Sequence, residues 1–209
     1  MTRSILALTV AVGAVALLSV EGCKQSGVGD PCIPELEYQP SYNAFTLGDV
    51  FLESKSFQCQ TRLCLVNHFR GRVSCPYGQQ ATAAPPNGGD KSCYVSGSDV
   101  GVCGAGGVWN FATKVCDNLK NAEVPAQCAN RRADSAVYCS CRCANESGKT
   151  DDGANYCSCP DGFVCTQLVA PTKLGNEGLT GAYCIKKGSE YDPASSCDSC
   201  DPSLKNCDK

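Results

Sequence analysis

The sequence predicts a small disulfide-rich protein, β- and loop-rich with one or two short helices, built as an irregular series of modules. Three observations lead there. The chain has 19 cysteines among 209 residues, the density of a scaffold held by bridges, not by one large core. Large aliphatic residues are sparse beyond Val20. Clusters of Gly, Pro, Asp and Ser cut what remains into runs of strand length.

The first residues set the compartment. Arg3 supplies a positive charge, and Ile5 to Val20 form an apolar run of 16 residues broken only by small ones. Polar Lys24-Gln25-Ser26 follow. This is the layout of a secretory signal peptide over residues 1–22, shorter than the roughly 20 apolar residues of a spanning helix. Val20, three residues before Cys23, and Gly22, immediately before it, resemble the lipobox of bacterial lipoproteins. That resemblance implies cleavage before Cys23, a diacylglycerol thioether on its sulfur and an acyl amide on its nitrogen. Glu21 stands where the family usually has a small or apolar residue. The alternative is ordinary cleavage after Gly22, which gives a secreted, soluble chain with Cys23 free or bridged. Several acyl chains, at about 0.8 kcal/mol per buried methylene, make a lasting anchor.

Cysteine parity agrees with lipidation. An odd count in an exported protein leaves one cysteine to explain, and setting Cys23 aside leaves 18, which nine bridges would close. Those are Cys32, Cys59, Cys64, Cys75, Cys93, Cys103, Cys116, Cys128, Cys139, Cys141, Cys143, Cys157, Cys159, Cys165, Cys184, Cys197, Cys200 and Cys207. Spacing does not say which pairs with which. Each bridge contributes about 2–4 kcal/mol, largely by restricting the unfolded chain.

The chain divides by composition. Residues 23–28 form a lipidated tether and 29–78 a four-cysteine module. In that module Cys64 to Cys75 reads as a hairpin turning at Arg70-Gly71, which would place Cys64 near Cys75. Residues 79–90, with Pro85-Pro86-Asn87-Gly88-Gly89, read as a linker. Residues 91–187 form a cysteine-rich β module. Its expected strands are Val137–Ala144, Asn155–Cys159, Phe163–Val169 and Ala182–Lys186, with a turn at Pro160-Asp161-Gly162. Helical character is expected at Ala112–Ala122 and Ala126–Ala133, with Arg131 and Arg132 solvated. Residues 188–209 form a tail. If the first module closes on itself, parity demands a bridge from the tail to the second, so the tail is disulfide-tied.

Several constellations could carry chemistry. At strand periodicity Cys139, Cys141 and Cys143 share one face, and Cys157, Cys159 and Cys165 follow nearby. Four such sulfurs could hold zinc, but in an exported chain a disulfide ladder is the expected use. Cys197-Asp198-Ser199-Cys200 has redox-dithiol spacing without the βαβ setting such sites use. His68 is the only histidine, which excludes two-histidine metalloprotease sites and leaves any other histidine catalyst to this residue. Neither a nucleophile elbow nor a phosphate-binding glycine loop is present, Gly101 to Gly107 included. Asp151-Asp152 lacks calcium-loop spacing. Asn145-Glu146-Ser147 matches a glycosylation sequon. The net charge of −3, without a basic cluster beyond Arg70/Arg72 and Arg131/Arg132, excludes nucleic acid as the expected partner.

Two further resemblances are visible. Tyr156 to Cys165, with Cys157-Ser158-Cys159 and Gly162-Phe163, is similar to the C-terminal half of an EGF-like module, although its last gap is too short. Gly29-Asp30-Pro31-Cys32, Tyr138 to Cys143 and Gly178 to Cys184 resemble cysteine-rich envelope lipoproteins of myxobacteria. That resemblance covers most of the chain after Cys23 and implies an envelope location. It supplies no catalytic residue.

The function expected is that of a non-enzymatic, envelope-anchored lipoprotein acting in interaction, adhesion or surface architecture. No cofactor or metal is expected. Its contacts would be the membrane, through the lipid on Cys23, and other envelope or surface proteins. By resemblance to the lipoprotein sorting rule, Lys24 in place of aspartate directs it to the outer membrane. The alternative is a secreted metal-binding or thiol-redox protein.

Overall fold

The computed structural model describes residues 27–75, 93–98, 100–103, 107–113, 115–117, 124–125, 127–128, 130–170, 179–194 and 197. Among these it is strand-rich, with one turn of α-helix and eight disulfides. This is the small, irregular, bridge-held class that the composition predicts.

The first sheet is antiparallel, in the order β1 (Val50–Glu53), β2 (Cys64–Asn67), β5 (Val137–Cys139). Asp49 sets up β1: its carboxylate accepts bonds from the Thr46 amide at 3.0 Å and hydroxyl at 2.8 Å, closing the turn before the strand. Central β2 is buried along its whole length. Side chains alternate across a strand, so Cys64 and Val66 face Phe45, Phe69, Ala136 and Val137. Leu65 faces the other way, onto Tyr138, Tyr183 and Ile185.

The last two residues come from the second sheet, ordered β6 (Arg142–Ala144), β8 (Gly181–Lys186), β7 (Phe163–Val169). The two sheets therefore share a core at Leu65–Tyr138–Tyr183–Ile185, closed by an edge-on contact of Tyr138 with Phe163 at 5.7 Å. Phe163–Val169 forms the expected strand in full, and Gly181–Lys186 starts one residue earlier than expected. The Phe163 amide donates to Pro160 at 3.0 Å across Asp161-Gly162, with Gly162 at φ 85°. Glycine is suited to that conformation.

A third, two-stranded unit pairs β3 (Val108–Asn110) with β4 (Val115–Asp117). Trp109 packs there on Cys103 and Cys116.

Several expectations are corrected. The stretch expected as helix Ala112–Ala122 contains β4, because backbone pairing with Val108–Asn110 and the Cys103–Cys116 bridge override local propensity; residues 118–122 lie outside the described ones. The helix expected over Ala126–Ala133 begins only at its end, as α1 (Ala133–Ala136). Asn155–Cys159 is not a strand. No hairpin joins Cys64 to Cys75: Gly71 pairs with Phe45 instead, and the two cysteines bond Cys32 and Cys93.

Bridges and pairing also join segments on either side of residues 79–90. Cys59 bonds Cys139, Cys75 bonds Cys93, and β2 pairs with β5. Two bridges leave Cys32–Cys75, which preserves parity, and Cys128–Cys197 reaches the tail.

Candidate functional site

The chain crosses from one sheet to the other at Ser140. Its amide donates to Leu63 at 3.0 Å, and its hydroxyl to Cys184 at 2.7 Å. The crossover undoes the expectation that Cys139, Cys141 and Cys143 share one face. Cys139 turns into the first core and bonds Cys59, while Cys141 and Cys143 enter a second core with Cys184.

Three bridges gather in that second core: Cys141–Cys157, Cys143–Cys165 and Cys159–Cys184. The Cys184 sulfur lies 3.7 Å from those of both Cys141 and Cys157. Cys143, Cys159 and Cys165 hold their sulfurs within 4.8 Å of one another. Exposure is graded across the group: Cys184, Cys143 and Cys141 are buried, Cys157 and Cys159 half-buried, and Cys165 exposed. The disulfide ladder is thus the arrangement formed. These sulfurs could ligate a soft metal only after reduction, because the ligand is the thiolate.

The other residues marked by the sequence have structural partners. His68 is held by structural contacts. Its Nδ1 lies 2.7 Å from the Leu47 carbonyl, and its ring stacks on Tyr191 at 3.8 Å. Burial holds its pKa below the ordinary value. Cys197 bonds Cys128 and not Cys200, so the dithiol spacing is not used as a pair. Gly101 lies against the Trp109 ring. Asp152 accepts bonds from Tyr156 at 2.6 Å and Asn145 at 3.2 Å, and the Tyr156 bond leads in holding its pKa down. Cys23, Cys200 and Cys207 lie outside the described residues.

Comparison with known proteins gives no relative. The chain matches no protein-family model, and no curated protein or solved structure is significantly similar. The reading therefore rests on the residues themselves. Bridge density of this order fits an extracellular or exported protein. Among the described residues, no helix is long and apolar enough to cross a membrane.

Arg131, expected to be solvated along with Arg132, proves to be internal. Arg131 is 3% exposed while Arg132 is exposed. The Arg131 guanidinium donates to the carbonyls of Asn67 at 2.6 Å, His68 at 2.8 Å and Ser189 at 3.0 Å. It also sits 5.6 Å from the Tyr191 ring centre. A fork of donors fits such a set of acceptors, as a lysine would not. Together with the His68–Tyr191 stack, Arg131 fastens the segment after β8 to the end of β2. No local sequence signal marks it, since its acceptors lie about 60 residues away on both sides.

Large apolar side chains remain in water at Phe57 (85% exposed), Phe111 (74%), Val108 (66%) and Tyr38 (45%). Arg62 lies over the Phe57 ring at 4.4 Å.

Proposed function

We propose that this chain is a non-enzymatic, envelope-anchored lipoprotein that serves as an interaction, adhesion or surface-architecture module, held at the outer membrane through lipid on Cys23. The observation that carries the reading is the bridge framework. Every cysteine among the described residues is used in a disulfide, which builds rigidity outside the cell and leaves no reactive thiol in that part of the chain. Cys23 follows the lipobox-like Val20 to Gly22, and setting it aside leaves an even 18 cysteines.

The exposed rings of Phe57 and Phe111 give the scaffold contact groups of the kind enriched at protein interfaces. The partner class is another envelope or surface protein. The resemblance to myxobacterial envelope lipoproteins supports the same location.

Radiolabelled palmitate tests the reading. The full chain should incorporate label and partition with membranes, and Cys23→Ala should lose both. A Cys23→Ala chain that stays equally membrane-bound would refute the anchor.

A further inference from the structure

We infer that the sulfurs of Cys141, Cys143, Cys157, Cys159, Cys165 and Cys184 form a thiol–disulfide exchange site, which accepts a small monothiol at Cys165 and presents a new protein thiol at Cys157. The inference is independent of the anchor, because it concerns sulfurs far along the chain from Cys23.

The three bridges lie in series. Cys143 and Cys165 are within 4.8 Å of Cys159, and Cys159 is bonded to Cys184. Cys184 is in turn 3.7 Å from Cys141 and from Cys157. Being equidistant from the two atoms of that bridge, the Cys184 sulfur lies broadside to it and, once released, swings toward the Cys141 end to reach the in-line approach that exchange requires.

Exchange proceeds by thiolate attack on one sulfur of a disulfide, with the electron pair leaving on the other. An external thiolate bonds the Cys165 sulfur; the Cys143–Cys165 bond breaks and Cys143 leaves as thiolate. Cys143 then bonds Cys159, releasing Cys184. Cys184 bonds Cys141, releasing Cys157, which takes a proton from water. One thiol is consumed and one appears, so nothing is oxidised or reduced overall. The products are a mixed disulfide on Cys165, bridges Cys143–Cys159 and Cys141–Cys184, and a thiol at Cys157. Each internal step gains from the high effective concentration of a held neighbour.

Exposure sets the direction. The accepting sulfur, Cys165, is the exposed one, and the final thiol, Cys157, is better solvated than buried Cys141 or Cys184. Solvation favours the thiolate. A second group with close sulfurs, Cys32, Cys59 and Cys139, is buried throughout and offers no accessible sulfur.

The test uses folded full-length protein and reduced glutathione at mildly alkaline pH, followed by iodoacetamide and non-reducing peptide mapping. Expected are glutathione on Cys165, alkylation on Cys157, and the new Cys143–Cys159 and Cys141–Cys184 links, with loss of the three original ones. Alkylated Cys143 beside glutathione-capped Cys165, with the other two bridges intact, would overturn the inference. So would labelling no greater here than at Cys32 and Cys64. In a Cys159→Ser/Cys184→Ser chain the alkylation should move to Cys143 and be lost from Cys157. Continued labelling of Cys157 there would also overturn it, and the wild-type map stands by itself if that variant does not fold.

Discussion

Glu37 and Arg72 form an ion pair with both side chains fully buried, the Arg72 Nε standing 3.9 Å from a Glu37 carboxylate oxygen. The wider Coulomb distance is offset by hydrogen bonds. The Glu37 carboxylate accepts from the Val73 amide at 2.7 Å, the Ser74 amide at 3.0 Å and the Ser74 hydroxyl at 2.6 Å. Arg72 donates to the carbonyls of Glu37 and of Tyr42, the latter at 2.5 Å. Burial is the main cause of the lowered Arg72 pKa, and Glu37 opposes it.

Removing one partner leaves the other charged and dry. Glu37→Ala is expected to cost about 3–5 kcal/mol. The double change Glu37→Leu/Arg72→Met should cost less than Glu37→Ala alone, since no charge is then stranded. Thermal unfolding of the oxidised proteins measures both.

His68 gives a pH dependence. Burial lowers its pKa from the ordinary 6.5, and Arg131 lowers it further, while the Leu47 carbonyl and Asp49 act the other way. The folded state therefore binds the proton less tightly than the unfolded one. Its stability contribution is complete above 6.5 and is lost as pH falls from 6.5 to the lowered value. His68→Asn, which suits the positive φ of 48° and does not titrate there, should flatten this part of the melting-temperature profile against pH.

Arg131 should be worth more than its count of charges implies. Arg131→Lys keeps the charge but cannot reach Asn67, His68 and Ser189 together, and should destabilise by about 2–3 kcal/mol. Hydrogen exchange at Lys187–Tyr191 should quicken before that of β2. Equal acceleration in both would show that Arg131 supports the whole core and not this junction.

Gly71 sits at φ +103°, and a methyl there would meet the Pro125 carbonyl oxygen at 2.7 Å. Gly71→Ala should therefore cost about 2–3 kcal/mol from backbone strain plus the close contact. Chemical denaturation checks it. A change below about 0.5 kcal/mol, the range of neutral surface substitutions, would contradict that local geometry.

What the sequence reveals is what neighbouring residues decide. Phe163–Val169 is legible because seven strand-forming residues follow a turn that needs only Pro160, Asp161 and Gly162. The cysteine-rich, small-core class is legible from composition. The bridge map is not: Cys59 finds Cys139 at a separation of 80 residues, and nothing near either one encodes the other. The same limit hides Arg131, whose fate depends on carbonyls from Asn67 and Ser189. It also hides the contact of Cys184 with Cys141–Cys157, which arises only when β6 and β8 pair. Ala112–Ala122 reads as helix alone, yet Val115–Asp117 within it becomes one strand of a hairpin through Cys103–Cys116.

Non-reducing peptide mapping of the native protein, quenched in acid before any exchange, measures the framework most directly. The expected fragments join Cys59 to Cys139, Cys75 to Cys93 and Cys128 to Cys197, so that three crosslinks tie distant segments together. Fragments in which Cys32, Cys59, Cys64 and Cys75 are bridged only among themselves would contradict it.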